Sequence, residues 1–147
     1  LASVNTHDLP LAAGYLEYGH VKLREQLGLL SGPVEEFQKS AEAEHNAMLS
    51  MLVDEGYLDA SALEDELANE NEIIDALYRG LKGSPCKLMA ASIVDAVGEK
   101  RTQNQPGTSN EYPNWRIPLA DGDGNVVPLE QLFDNTRLQE IAAIMRG

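Results

Sequence analysis

Between Pro33 and Gly56 the residue pattern permits one local structure, and whatever surrounds it has to conform. Ser31-Gly32-Pro33 is a helix start, and Glu35 and Glu36 follow where the positive end of a helix dipole favours acidic side chains. Val34, Phe37, Ala41, Met48, Met51 and Leu52 then recur at helical spacing and draw one apolar stripe, which Gly56 stops. A methionine-bearing stripe can serve a promiscuous groove, but core packing is the commoner reason for it. Glu44 and His45 fall on or beside the stripe, and His45 reads as a partly buried structural histidine rather than a ligand.

The stripe has to be covered, and the flanking segments supply candidates. Leu1 to Thr6 could be a short buried strand, with Val4 and Thr6 favouring extended backbone. Asp8 stands where an N-cap would stand, with Pro10 in the first turn after it. Leu11, Tyr15 and Leu16 follow at helical spacing, but Gly14 and Gly19 weaken that helix and predict a break near Tyr18–Gly19. A second segment, Val21 to Leu27, closes at Gly28. Past Gly56, Asp59 caps a short helix from Ala60 to Leu67. The next helix carries Ile73, Ile74, Leu77, Tyr78 and Leu81 inward and closes at Gly83. The acidic residues between Glu64 and Asp75 read as a solvated face.

"CKLMAASIVDAVG" is apolar from Leu88 to Val94 apart from Ser92. Periodicity does not separate helix from strand in so short a run; Pro85 before it and Gly98 after it favour a fully buried strand of a parallel sheet. Gly98 to Leu119 has no period and carries Pro106, Gly107, Pro113 and Pro118 among Asn, Gln, Thr and Ser. An irregular loop of about twenty residues is rare in a small domain unless it does something. Two short extended pieces then flank a Gly-rich turn, Pro128 opens one helix, and Asp134 or Asn135 caps a last one with Ile141, Ile144 and Met145 inward.

Composition narrows the function. A length of 147 residues fits one ordinary domain. The net charge of −13 argues against nucleic acid or an anionic membrane surface, and leaves a neutral partner such as a sugar, or a basic one. The single Cys86 cannot close an internal disulfide, rules out zinc sites that need two cysteines, and favours a reducing, cytoplasmic setting. Beside a run read as buried, it is an inert thiol rather than a nucleophile. No apolar run approaches the roughly 20 residues of a membrane span, and no signal-peptide pattern is present. The chain starts without Met, at residues that read as the inside of a strand, and is expected to begin within a longer protein.

Several motifs fail on inspection. "DGDGN", Asp121 to Asn125, opens like a calcium loop, but Val126 stands at the position that needs Gly and Leu132 at the one that needs Glu, so a hairpin turn is expected. Pro106-Gly107-Thr108 has no following Lys, and no G-x-S-x-G elbow occurs. Two polar clusters remain: His7–Asp8, and the long loop with Gln103, Asn104, Glu111, Asn114 and Trp115. Sugar sites combine a carboxylate, amides that bond hydroxyls in both senses and an aromatic face. Read from residues alone, the alternative stands beside it: Asp8 as a helix cap and the loop as structure.

"VNTHDLPLAAGYL" together with "GEKRTQNQPGTSNEYPNW" resembles the C-terminal part of the 4-α-glucanotransferases, or amylomaltases; the long pattern Q-N-x-P-G-T-x-x-E-x-P-N-W is the specific element. The resemblance implies a (β/α)8 barrel in which an Asp nucleophile, a Glu acid/base and a third Asp act together. By motif the third Asp is Asp8, a transition-state stabiliser at the end of the seventh strand, with His7 bonding a sugar hydroxyl. Asn104 and the Pro106-Gly107 turn would shape sugar subsites, while Asn114 and Trp115 are packing or contact. "KLMAASIV" would be the eighth strand. The chain is then expected to be a mainly α-helical fragment with a few short strands, roughly the last quarter of a barrel of about 250 residues. Its nucleophile and acid/base would lie upstream, leaving it inactive alone. The implied partner is maltodextrin or another α-1,4-glucan; neither cofactor nor metal is implied. Without the preceding strands the piece can dimerise to cover apolar surface. Two other readings are a free-standing acidic interaction module and a non-catalytic glucan-binding domain, the latter weakened by the single Trp.

Overall fold

In the computed structural model, which describes residues 1–146, the chain starts with a two-residue strand, β1 (Ala2–Ser3), and reaches its first helix, α1 (Ala12–Leu16), after an irregular turn. Tyr18 supplies the expected break: it adopts φ 56°, left-handed for a residue with a side chain, and α2 (Gly19–Gln26) begins directly after it. The stripe between Pro33 and Gly56 is one helix, α3 (Val34–Asp54), and Gly56 ends it at φ 74°. A 3-10 turn (Ala60–Glu64) is capped by Asp59, whose Oδ1 accepts from the Ser61 N–H at 2.8 Å. The remaining elements are α4 (Glu70–Gly83), β2 (Met89–Ala90), α5 (Ile93–Val97), α6 (Leu129–Leu132) and α7 (Thr136–Arg146). Asn135 caps α7 by accepting from the Leu138 N–H at 2.8 Å.

The core forms around α4. Its Ile73, Ile74, Ala76 and Tyr78 are buried against Ala12, Ala13 and Leu16 of α1, Leu49 and Leu52 of α3, Ala96 of α5 and Ile141 of α7. Polar ties fix α7 along α4: the Arg137 guanidinium bonds Asp75 Oδ1 at 2.8 Å, and Lys82 Nζ donates to the Met145 carbonyl at 2.8 Å.

Three expectations change here. The face that α3 buries is Ala41, His45, Leu49 and Leu52, so Met51 lies 46% exposed and Leu49 takes its place. His45 can occupy that face, only 1% exposed, because its Nε2 lies 2.6 Å from Glu66 Oε2 and its ring stacks on Tyr15 and Tyr18. The Leu88–Val94 run is not one buried strand: β2 holds two residues, Leu88 is 66% exposed, and Ile93 already belongs to α5. A two-stranded sheet has too little covering to bury such a run. Its pairing is nonetheless parallel as expected, Ala2 opposite Met89 and Ser3 opposite Ala90. Asp8 is not an N-cap: α1 starts after Leu11 without a cap from its own neighbourhood, and the Ala12 N–H instead donates to Asp95 Oδ1 at 3.2 Å.

Gly98 to Leu119 holds no helix or strand, as the missing period predicted. "DGDGN" is the expected hairpin turn, bridged antiparallel from Ala120 to Val126, with Asp121 Oδ1 accepting from the Asn125 N–H at 2.8 Å. Among the described residues no helix is long and apolar enough to cross a membrane.

Candidate functional site

The fold brings the two polar clusters of the sequence together across 96 positions. Asn104 Nδ2 donates to Asp8 Oδ1 at 2.6 Å, while His7 Nε2 lies 3.2 Å from Asp8 Oδ2. Asp8 is thereby oriented through both oxygens and still 49% exposed, open to a ligand. The backbone shapes this outcome: the Leu9 N–H donates to the Thr6 carbonyl at 3.1 Å, closing a turn that carries His7 and Asp8 at its tip. Trp115 comes to the same place. It adopts φ 61°, an uncommon conformation for a bulky residue, with its N–H donated to the Gln103 carbonyl at 2.9 Å. Its exposed ring stands 5.1 Å from the His7 ring at a 44° tilt.

The long loop is wired internally, which explains how twenty irregular residues hold a shape. Thr108 donates its N–H to the Gln105 carbonyl at 3.3 Å, with Pro106 and a positive-φ Gly107 between them, the residue order of a type II turn. The Asn114 side chain accepts from the Gln105 N–H at 2.7 Å and donates to Thr108 Oγ1 at 2.8 Å, so it staples the loop rather than facing solvent. Glu111 accepts from the Ser109 N–H at 2.7 Å and is spent in the same way. The Tyr112 hydroxyl donates to the Thr102 carbonyl at 2.8 Å.

Glu99 locks the two ends of this loop. Oε1 accepts from the Arg101 N–H at 2.9 Å, and Oε2 accepts from Arg101 Nη2 at 2.7 Å and from the Ala120 N–H at 3.0 Å. Burial opposes its charge, but the Arg101 guanidinium and these N–H groups hold its carboxyl below the usual value of 4.5. The stabilisation is therefore complete above about pH 4.5 and is lost as pH falls through the depressed value. Glu99→Gln should lower the melting temperature at neutral pH, with the gap to the parent narrowing as the pH falls below about 4.5. A gap that stays constant over that range would show that Glu99 does not act through its charge.

A cleft of about 770 Å³ opens beneath Asp8 and Pro106. Tyr15, His20 and Arg24 line its far side, with Glu44 of α3, and Lys100, Thr102 and Tyr112 come from the loop. Lys100 pairs with Glu17, which holds its ammonium up, while burial holds His20 below the usual imidazole range. The sequence pointed to Asp8, His7, Asn104 and Pro106; it gave no signal for Tyr15 of α1, nor for His20 and Arg24 of α2, the helix that begins directly after the break at Tyr18. Cys86 lies outside both this lining and the His7–Asp8 turn. Chemically, the arrangement offers a carboxylate to stabilise positive charge or hold hydroxyls, an amide beside it and an aromatic edge, on a surface that suits an uncharged polar ligand.

Residues 1–122 match the family model described as 4-alpha-glucanotransferase. The 4-alpha-glucanotransferase of Mycobacterium tuberculosis is 47% identical over 147 residues, which is 100% of this chain and 20% of that protein. That of Haemophilus influenzae is 28% identical over 141 residues, 94% of this chain and 19% of that one. Among solved structures, the amylomaltase from Corynebacterium glutamicum has the same fold over 97% of this chain and 21% of its own, with a TM-score of 0.85 at 36% identity. The chain thus spans about a fifth of the length of these relatives.

Proposed function

The chain belongs to the 4-alpha-glucanotransferase family, and from that premise we propose that it is the C-terminal part of an enzyme that passes α-1,4-glucan segments between maltodextrins in the cytoplasm. β1 and β2 are then strands seven and eight of a (β/α)8 barrel, with Asp8 at the C-terminal end of strand seven, where barrel enzymes carry their chemistry. The hydrogen bond from Asn104 to Asp8 carries the reading, since it joins the two motif segments at one open cleft. The sheet supports it too: parallel sheets are almost always covered on both faces, and this one consists of two strands with both outer edges unpaired.

In this reading an Asp and a Glu upstream of Leu1 do the covalent work. The Asp attacks the anomeric carbon while the Glu protonates the departing 4-oxygen; an acceptor's 4-hydroxyl, deprotonated by the same Glu, then displaces the Asp. In the transition state of each step the sugar ring carries positive charge. Asp8 stabilises that charge and holds ring hydroxyls, His7 bonds a hydroxyl, and Asn104 with the Pro106-Gly107 turn shapes the neighbouring subsite. Trp115, exposed beside His7, offers a face to a sugar ring, and no cofactor is needed.

Incubated with maltotriose, the longer protein should yield glucose and longer oligosaccharides, and the isolated 147-residue chain neither. Failure of the longer protein to convert maltotriose would overturn the reading; conversion by the isolated chain would overturn the placement of the other carboxylates upstream. The isolated chain should also sediment as a dimer at high concentration, with Leu1, Leu88 and Ile93 beside the open sheet covered by a second copy.

A further inference from the structure

The Asp95 carboxylate, on α5, is 1% exposed and forms no ion pair among the described residues. Three uncharged donors converge on it instead. Asn5 Nδ2 lies 2.7 Å from Oδ1 and 2.8 Å from Oδ2, the Ala12 N–H reaches Oδ1 at 3.2 Å, and the Tyr78 hydroxyl reaches Oδ2 at 2.7 Å. Tyr78 donates here because a carboxylate only accepts, while its own oxygen accepts from the Ser92 N–H at 3.0 Å. An amide or a protonated acid in this position would bring a further donor to a place where every neighbour donates. Burial pushes the Asp95 carboxyl up, and the bonds from Tyr78, Ala12 and Asn5 draw it back.

The placement of these donors along the chain is what gives the cradle a use. Asn5 stands three residues before Asp8 and Ala12 stands four after it. Between them Thr6, His7, Asp8 and Leu9 are exposed, so apolar packing holds the loop only at its Leu11 end and leaves the stretch that carries Asp8 unfixed. We propose that Asp95 is a positioning residue, whose buried carboxylate clamps both ends of the Asn5–Ala12 loop and so sets where Asp8 stands in the cleft. The clamp sits on α5 and, through Tyr78, on α4 at the centre of the core, so the loop takes its position from the most rigid part of the molecule. The effect on catalysis rests on the reading of Asp8 given above; the clamp itself does not.

Asp95→Asn strikes the core as well as the loop and can unfold the chain, so Asn5→Ala, which cuts one tie at a half-buried position, is the deciding variant. In the longer protein it should speed hydrogen exchange at the Leu9 and Ala12 amides. It should also lower kcat on maltotriose roughly tenfold to a hundredfold, with KM changed less than about threefold, as a misplaced catalytic group does. Placed on Asp8→Asn it should cost less than about threefold more, because the group it positions is already disabled. Asp59→Ala, which removes a distant cap, should lower the melting temperature and leave both readouts at the parent level. Unchanged exchange at Leu9 and Ala12 would overturn the clamp. A loss of kcat that repeats in full on Asp8→Asn would show a merely structural role. If the longer protein fails to act on maltotriose at all, the functional reading falls, and the exchange measurement still decides the clamp.

Discussion

Asp8→Asn in the longer protein should lower transfer between maltodextrins by about a thousandfold or more, the scale on which a preorganised charge facing a developing charge contributes to rate. The substitution is a narrow one. An Asn side chain keeps an oxygen able to accept from Asn104 at the same place, so the loop and its tie across 96 positions persist. What disappears is the negative charge, which matters most in the transition state of each transfer step, when the sugar ring is positively charged. The loss should therefore fall on kcat, with KM for maltotriose little changed. Steady-state assay of glucose release checks it; a loss under tenfold would mean that Asp8 is a binding contact or a structural group and not a stabiliser of that charge.

Gly14→Ala should destabilise this chain by about 2–3 kcal/mol, although alanine is the better helix former by about 1 kcal/mol. The two effects compete at one atom. Gly14 is buried in α1, and a Cβ there would overlap the Lys100 carbonyl oxygen and stand 3.1 Å from its carbonyl carbon. Both obstacles are backbone, and the neighbouring Glu99 anchors that backbone through Arg101 and Ala120. The loop cannot yield without moving Thr102 and Asn104, so overlap outweighs propensity. For a domain of this size each kcal/mol lowers the melting temperature by about 2–4 °C, so the variant should melt several degrees below the parent. A variant that melts at or above the parent temperature would show that the loop gives way freely.

Legibility of the fold in the sequence followed the range of the forces involved. α3 and α4 were readable because their apolar periods and stop signals are local, and Asp59 and Asn135 were readable as caps because their partners lie two or three residues on. The Leu88–Val94 run was misread because its burial depends on how much sheet surrounds it, which no window of seven residues contains. The cap assigned to Asp8 failed for a related reason. The helix begins only after Leu11, and its Ala12 N–H is satisfied by Asp95 from 83 positions away. The candidate site divides along the same line. His7, Asp8, Asn104 and the Pro106-Gly107 turn stood out as clustered polar residues and by their family pattern, whereas Asn5, Tyr78 and Asp95 carried no local sign that they belong together.

The register that sets Ala2 opposite Met89 also imposes an order on synthesis. A ribosome adding about 5–20 residues per second needs roughly 4–17 s to make the chain between those two partners. α3 and α4 can form within microseconds of emerging, while β1 waits with its hydrogen-bonding edge unpaired. Asn5 and the Ala12 N–H wait equally long for Asp95, and Asp8 longer still for Asn104. The cleft, whose lining extends as far as Ile117, is consequently built after α3 and α4, and a polypeptide cut short before Asn104 can carry those helices yet never acquire the pairing that orients Asp8.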